Sequence, residues 1–103
     1  MTMGSKEGLG AVYISGMTAA TSECIDKFKT AEKMLEWWGY KVVNPDHVRD
    51  YMRKPWEEYL KDSLELLMQA DAIYMIRGWR KSREAVLEHT IAKELNMEVI
   101  ISL

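Results

Sequence analysis

The sequence predicts a three-layer α/β domain in which helices cover both faces of a four- to five-stranded parallel sheet. Short apolar segments with the composition of buried strands alternate with longer segments whose apolar residues recur at helical spacing. Such alternation is typical of parallel sheets with right-handed helical crossovers, as in flavodoxin-like and Rossmann-like folds. The 103 residues suffice for one core and not for two. We expect a single domain over residues 11–103, after a flexible leader over residues 1–10.

Four strands and three main helices are expected along the chain. The strands are predicted at 11–14, 41–44, 72–76 and 98–101, and the helices at 22–38, from Trp56 onward and from about Ser82 onward. Gly39 and Asn96 suit the left-handed residue that ends a helix, and Pro55 suits a helix start. The expected strand order is 2-1-3-4. A ligand should then bind beyond the carboxyl ends of strands 1 and 3, where the order reverses.

Helical spacing also predicts which side chains face the core. The expected inward positions are Ile25, Phe28, Ala31, Leu35 and Trp38 in the first helix, Trp56, Tyr59 or Leu60, Leu64, Leu67 and Met68 in the second, and Leu87, Ile91, Ala92 and Leu95 in the third.

Composition argues against several classes of protein. The net charge of −2 and the lack of a dense Lys/Arg run argue against binding to polymeric DNA or RNA. The apolar runs are too short for a membrane span and the first residues lack the pattern of a signal peptide, so a cytoplasmic location is expected. One cysteine and two histidines do not suffice for a disulfide or for a cysteine-based or multi-histidine metal site. We expect neither a metal nor a cofactor.

Four tryptophans and eight methionines are a large apolar load for so short a chain. One interpretation is that part of this surface is covered by self-association, as a homodimer or a higher homo-oligomer. The alternative is that methionine side chains fill gaps in an irregular core.

The segment from Asp71 to Ala92 carries the most functional information. A buried strand, a polar loop and a helix follow one another, and Glu88 lies in the second turn of that helix, on the side of Ile91 and Ala92. A carboxylate on an inward face requires water, a partner or a ligand. The alternative is that Glu88 reaches solvent at the edge of the apolar stripe.

Several short motifs in this order and spacing resemble a small, often phage-associated group within the nucleoside 2-deoxyribosyltransferase-like superfamily. They are Tyr13-Ile14-Ser15-Gly16, the segment from Gly39 to Pro45, the segment from Ala70 to Tyr74, and Gly78-Trp79 followed by Ser82 and Glu88. The resemblance implies chemistry on the N-glycosidic bond of a deoxynucleoside or its 5′-monophosphate. It would proceed by transfer or by hydrolysis, with a glutamate nucleophile that attacks C1′ of the sugar.

The resemblance also implies roles for individual residues. Glu88 matches the nucleophile, Tyr13 the tyrosine that holds it, and Ser82 the serine that contacts phosphate. Ser15, Gly16 and Met17 match the loop that lines the sugar, and Gly78 follows the third strand at the same edge. Trp79 is interpreted either as an apolar wall for the base or as a rim tryptophan at a subunit contact.

Three positions depart from the pattern of the active relatives. Ser63 stands where those enzymes carry an aspartate, and Asp62 beside it is the candidate acid that could protonate the departing base. Glu84 stands where glycine is usual, and the loop after Gly16 lacks a proline. Two alternatives to an enzyme therefore stay open: a nucleotide-binding module that does not cut its ligand, and a phage accessory protein that functions through an interface.

Overall fold

A computed structural model describes residues 9–17, 21–45 and 55–102. Strands and helices alternate through these ranges. The strands are β1 (Ala11–Ser15), β2 (Lys41–Val43), β3 (Ala72–Met75) and β4 (Glu98–Ile101), and the helices are α1 (Ser22–Trp38), α2 (Trp56–Leu67) and α3 (Arg83–Glu94). A short 3-10 helix, Trp79–Lys81, precedes α3. The expected connecting segment between Asp46 and Lys54 and the leader up to residue 8 lie outside the described residues.

The four strands form one parallel sheet in the order β2-β1-β3-β4, which confirms the predicted order. Val12 of β1 is paired with Val42 of β2 and with Ala72 of β3. Strand order reverses between β1 and β3, so the carboxyl ends of these two strands define the edge at which a ligand site is expected.

The period of two in each strand divides the core between the two faces of the sheet. Val12 and Ile14 of β1 pack with Phe28 and Leu35 of α1 on one face. Tyr13 of β1 lies on the opposite face, in the cluster that contains residues of α2 and α3. The fold is therefore the expected three-layer α/β sandwich, with α1 on one side and α2 and α3 on the other.

Helix α1 begins and ends at residues suited to those positions. The Thr21 side chain accepts a hydrogen bond from the backbone N–H of Cys24 at 3.3 Å, and Gly39 ends the helix in the left-handed region at φ 109°. Leu35 is fully buried, but Trp38, which was expected to face inward, is 46% exposed. Trp38 is the last residue of α1. It lies at the edge where the strands begin, so the sheet no longer extends beneath it.

The predicted inward faces of the other two helices were also partly wrong. Leu87, Leu95 and Met68 are exposed, whereas α3 buries Ala85, Glu88 and Ala92 and α2 buries Ser63 and Leu67. Ala85 and Ala92 at the contact let α3 lie close to the sheet. Leu87 leaves the helix about 100° away from Glu88, and Leu95 follows the last residue of α3. Met68 follows the last residue of α2.

Candidate active site

The Glu88 carboxylate lies in the layer between the sheet and α3 and is held by two hydroxyl groups. Tyr13 donates a hydrogen bond from its phenol to Oε2 of Glu88 at 2.7 Å, and Ser15 donates from Oγ to Oε1 at 2.6 Å. Glu88 is 1% exposed. The alternative that Glu88 merely reaches solvent is therefore wrong.

Local sequence explains why these three side chains meet. Tyr13 and Ser15 are two residues apart in β1, so both project to the face that α3 covers. Ser82 directly precedes α3 and caps it, because its hydroxyl accepts a hydrogen bond from the backbone N–H of Ala85 at 3.2 Å. Because Ala85 and Glu88 are three residues apart, they lie on one face of the helix, and burial of the alanine turns the glutamate toward the sheet.

The two hydroxyl groups replace much of the hydration that the Glu88 carboxylate loses on burial. An ionised carboxylate away from water is strongly unfavourable unless hydrogen bonds replace its hydration. Hydrogen bonds to a charged acceptor are short and strong, as both of these are. Because the two donors act on different oxygens, they hold the carboxylate in position at the end of β1.

Gly16 and Met17, both predicted to bind substrate, have separate environments. A Cβ atom on Gly16 would lie 2.9 Å from Cβ of Ile76, so the absence of a side chain lets β1 end close to the chain that leaves β3. Met17 is 40% exposed and lines a crevice of about 230 Å³ together with Gly78 and residues of α1. Met17 and Gly78 are therefore together at the predicted edge, but on the α1 side of the sheet rather than on the side of Glu88.

Trp79 is a core residue rather than a rim residue. It is 6% exposed and belongs to the cluster that contains Tyr13, so the prediction of a rim tryptophan at a subunit contact was wrong. His89 stacks on Trp79 with ring centroids 4.4 Å apart, and the Arg80 guanidinium lies 4.6 Å from the ring centroid. Burial lowers the pKa of His89 below its ordinary value, and the positive charges of Lys93 and Arg80 lower it further.

The start of α3 carries the residue predicted to contact phosphate. Ser82 is 6% exposed, and accepting the bond from Ala85 does not use its own hydroxyl hydrogen. Arg80 and Lys81 precede it in exposed positions, and Arg83 lies 4.0 Å above the Trp56 ring. Amide groups and positive side chains therefore gather at this helix start, which favours an anion.

On α2, Ser63 lies toward the core and Asp62 beside it is half-buried. Ser63 is 1% exposed, so the position that matches the acid of the active relatives presents a hydroxyl to the interior. The side chain of Asp62 leaves the helix about 100° away around the axis. Asp62 as an acid thus stays a prediction, and it requires a path to the site around the side of the helix.

A larger open groove, which sequence reasoning did not identify, lies on the α1 side of the sheet. Its volume is about 680 Å³, and buried residues of its lining are Ala31, Tyr74 and Ile76. Charged residues on its lining include Asp26 and Lys27 of α1. Strand periodicity could have indicated part of this surface, because Tyr74 of β3 and Ile76, just after the strand, are two residues apart and belong to the same core cluster.

Two kinds of site are not found among residues 9–17, 21–45 and 55–102. No cluster of three or more His, Cys, Asp or Glu side chains there is arranged to hold a metal ion. None of the helices in these ranges has the length and apolar character that a membrane span requires.

Comparisons with known proteins identify the fold and the family of the chain. A solved structure of a 2-deoxyribosyltransferase from the psychrotolerant bacterium Bacillus psychrosaccharolyticus is similar to the chain with a TM-score of 0.70. The match has 18% sequence identity and covers 88% of this chain and 70% of that one, which establishes a common fold. No curated protein sequence matches significantly. A model of a domain of unknown function, DUF4406, matches residues 10–101, which confirms the group that the motifs indicated. The chain therefore belongs to the DUF4406 family, and it has the fold of a 2-deoxyribosyltransferase.

Proposed function

We propose that the protein acts on the N-glycosidic bond of a deoxynucleoside or a deoxynucleoside 5′-monophosphate, with Glu88 as nucleophile. The observation that carries the proposal is the buried Glu88 carboxylate, held at one oxygen by Tyr13 and at the other by Ser15. A buried carboxylate with two hydroxyl donors, at the edge where parallel sheets bind ligands, is typical of a functional group. The fold shared with a 2-deoxyribosyltransferase supports the same substrate class.

In the proposed reaction, a Glu88 oxygen attacks C1′ of the sugar and forms a glycosyl ester. The bond between C1′ and the base nitrogen breaks, its electron pair leaves with the base, and the base takes up a proton. A water molecule or a second base then attacks C1′ and gives up a proton to the group that protonated the first base. The ester bond to Glu88 breaks, which releases the carboxylate and completes hydrolysis or transfer. Because Glu88 is 1% exposed, the side chains that cover it must move when the sugar binds.

The other predicted residues have assigned roles in this proposal. Asp62 supplies the proton to the departing base, since it is the carboxyl group next to the buried Ser63. Ser82 and the backbone amides at the start of α3 bind a 5′-phosphate. Trp79 acts from the core, by fixing the 3-10 helix in front of α3, and not as an exposed wall for the base.

Base release from a panel of substrates tests the proposal. The purified protein is incubated with deoxynucleosides and their 5′-monophosphates, with and without a second base, and free and exchanged bases are followed by chromatography. We expect release by the unchanged protein and a loss of about 1000-fold or more in Glu88→Gln, since a nucleophile is removed. Glu94→Gln is the matched control, because Glu94 lies on the same helix and is exposed.

Intact-mass spectrometry adds a direct test of the covalent step. With substrate, we expect a fraction of the protein to gain the mass of the deoxyribosyl group, and Glu88→Gln to gain none. Base release that Glu88→Gln leaves unchanged would show that another group does the chemistry.

Binding without cleavage is the second candidate function, and the buried Ser63 favours it. A hydroxyl in place of a carboxylic acid removes a proton donor for the departing base but leaves a nucleotide-sized site intact. Calorimetry separates the two functions. Nucleotide binding by a protein that releases no base from any substrate would establish a binding module.

A further inference from the structure

We propose that Ser15 is a positioning residue that fixes the Glu88 carboxylate for reaction, a role that rests on the proposed function. The resemblance assigned Ser15 to the sugar-lining loop. In the structure its Oγ instead lies 2.6 Å from Oε1 of Glu88, across a sequence separation of 73 residues. Both residues are 1% exposed, so water does not compete for this contact.

Ser15 and Tyr13 hold different oxygens of the same carboxylate. The bond from Tyr13 restrains Oε2 of Glu88. The second hydrogen bond, from Ser15 to Oε1, fixes the plane of the carboxylate. Terminal torsions of glutamate have broad energy wells, so hydrogen bonds such as the one from Ser15, rather than the side chain's own preference, determine that plane.

The position of Ser15 in the fold places this contact next to the expected reaction centre. Ser15 is the last residue of β1 and is paired with Met75, the last residue of β3. Gly16 follows, and its close approach to Ile76 holds the end of β1 against the neighbouring chain. The hydroxyl that orients Glu88 therefore belongs to a rigid part of the edge where a ligand is expected.

A second consequence concerns the charge of the carboxylate. A hydroxyl that donates to an ionised carboxylate favours that form over the protonated one. Only the ionised carboxylate is a good nucleophile. Ser15 thus acts on orientation and on charge state together, whereas a serine that merely fills space would act on neither.

Kinetics of three variants test this role. In Ser15→Ala we expect kcat for base release to fall about 10- to 100-fold with little change in KM, as for a lost hydrogen bond to a charged group. The acidic limb of the pH profile of kcat/KM should move to higher pH. Ser15→Thr retains the hydroxyl and should restore most of the rate. Ser102→Ala, at a serine directly after β4, is the control and should leave both the rate and the profile unchanged.

An NMR titration of the Glu88 carboxyl carbon, in protein with ¹³C-labelled glutamate, is independent of activity. In Ser15→Ala we expect the titration midpoint of this signal to move to higher pH, and in Ser102→Ala not to move. An unmoved midpoint overturns the role of Ser15 even if the enzyme is active. A moved midpoint in a protein that releases no base leaves the contact intact and contradicts the proposed function instead. Equal loss of kcat in Ser15→Ala and Ser15→Thr would indicate packing alone and would also overturn the inference.

Discussion

A carboxylate that is 1% exposed depends on the protein for its stabilisation, and at the residue scale Glu88 obtains it from two hydroxyl groups. Removing either donor leaves a buried acceptor with less compensation, which is the situation in which a single hydrogen bond has its largest effect. The strength of each contact is therefore measurable as stability as well as activity.

Tyr13→Phe removes the phenolic hydroxyl and retains the buried ring. We expect the free energy of unfolding to fall by about 1–3 kcal/mol, because the bond to Oε2 of Glu88 is short and buried. Urea denaturation measures this change. Tyr40→Phe is the matched control, since the phenol of Tyr40 also donates to a glutamate, Glu98, but at 3.4 Å and in a partly exposed position. Equal losses of unfolding free energy in Tyr13→Phe and Tyr40→Phe would contradict a special role for the burial of Glu88.

Sequence reasoning found part of this site because motifs preserve local order. Tyr13 and Glu88 were identified from their positions after β1 and within α3. The bond from Ser15 to Glu88 was not predicted, because it depends on how closely α3 packs on β1, and the two residues are 73 positions apart. Small residues at Ala85 and Ala92 permit that approach, but their effect on distance is visible only in the folded chain.

At the element scale, the start of α3 is built around Trp79. Its ring is buried, His89 of α3 stacks on one part of it, and Arg80 lies over the ring. Among the described residues, the buried Nε1 of Trp79 has no hydrogen-bond acceptor. Contacts of the Trp79 ring and the hydrogen bond of the Ser82 cap thus connect the 3-10 helix to α3. A positive charge on His89 would disturb this packing.

The lowered pKa of His89 predicts a pH dependence of stability. The folded state holds the His89 proton less tightly than the unfolded state, whose pKa is near 6.5. Between 6.5 and the lower folded value, the unfolded state therefore binds more protons, and stability falls as the pH falls through this window. His89→Gln should lose less stability than the unchanged protein on going from pH 7.5 to pH 5.5, as measured by urea denaturation. His47 is present in both proteins, so its titration cancels to first order in the comparison. An identical change of stability with pH in the two proteins would show that protonation of His89 is not coupled to folding.

The positions of the strands and helices were more predictable than the faces of the helices. Gly39 ends α1 as expected, and β4 has the predicted bounds. The predicted apolar stripe of α3 was partly wrong, because large aliphatic residues do not mark the inward face of this helix. A helix that presents Ala85, Glu88 and Ala92 to a sheet has its polar functional group and its small residues inward, which exposes Leu87. Leu95 is exposed beyond the last residue of α3.

At the scale of the whole molecule, the described residues cover the two faces of the sheet unequally. Helices α2 and α3 form the layer on one face, and α1 is the helix on the other among the described residues. The open groove of about 680 Å³ lies on the α1 side. Trp37 of α1 is 86% exposed, an unusual state for so large an apolar side chain.

Self-association is expected from the tryptophan and methionine content. Because α1 covers its face of the sheet less completely, we predict that the contact between copies uses the α1 face. Large exposed apolar side chains such as Trp37 are typical of contacts between chains, and a second copy of the protein is a partner always available to them. Light scattering should give a mass that is a multiple of the 12.0 kDa of one chain, and Trp37→Lys should reduce it toward that of the monomer because it places a charge in the contact. Met68→Lys, on the opposite layer at a residue that is 64% exposed, should leave the mass unchanged. A 12.0 kDa species for the unchanged protein would show that its methionines and tryptophans are accommodated within a monomer, and a change with Met68→Lys alone would place the contact on the α2 and α3 layer instead.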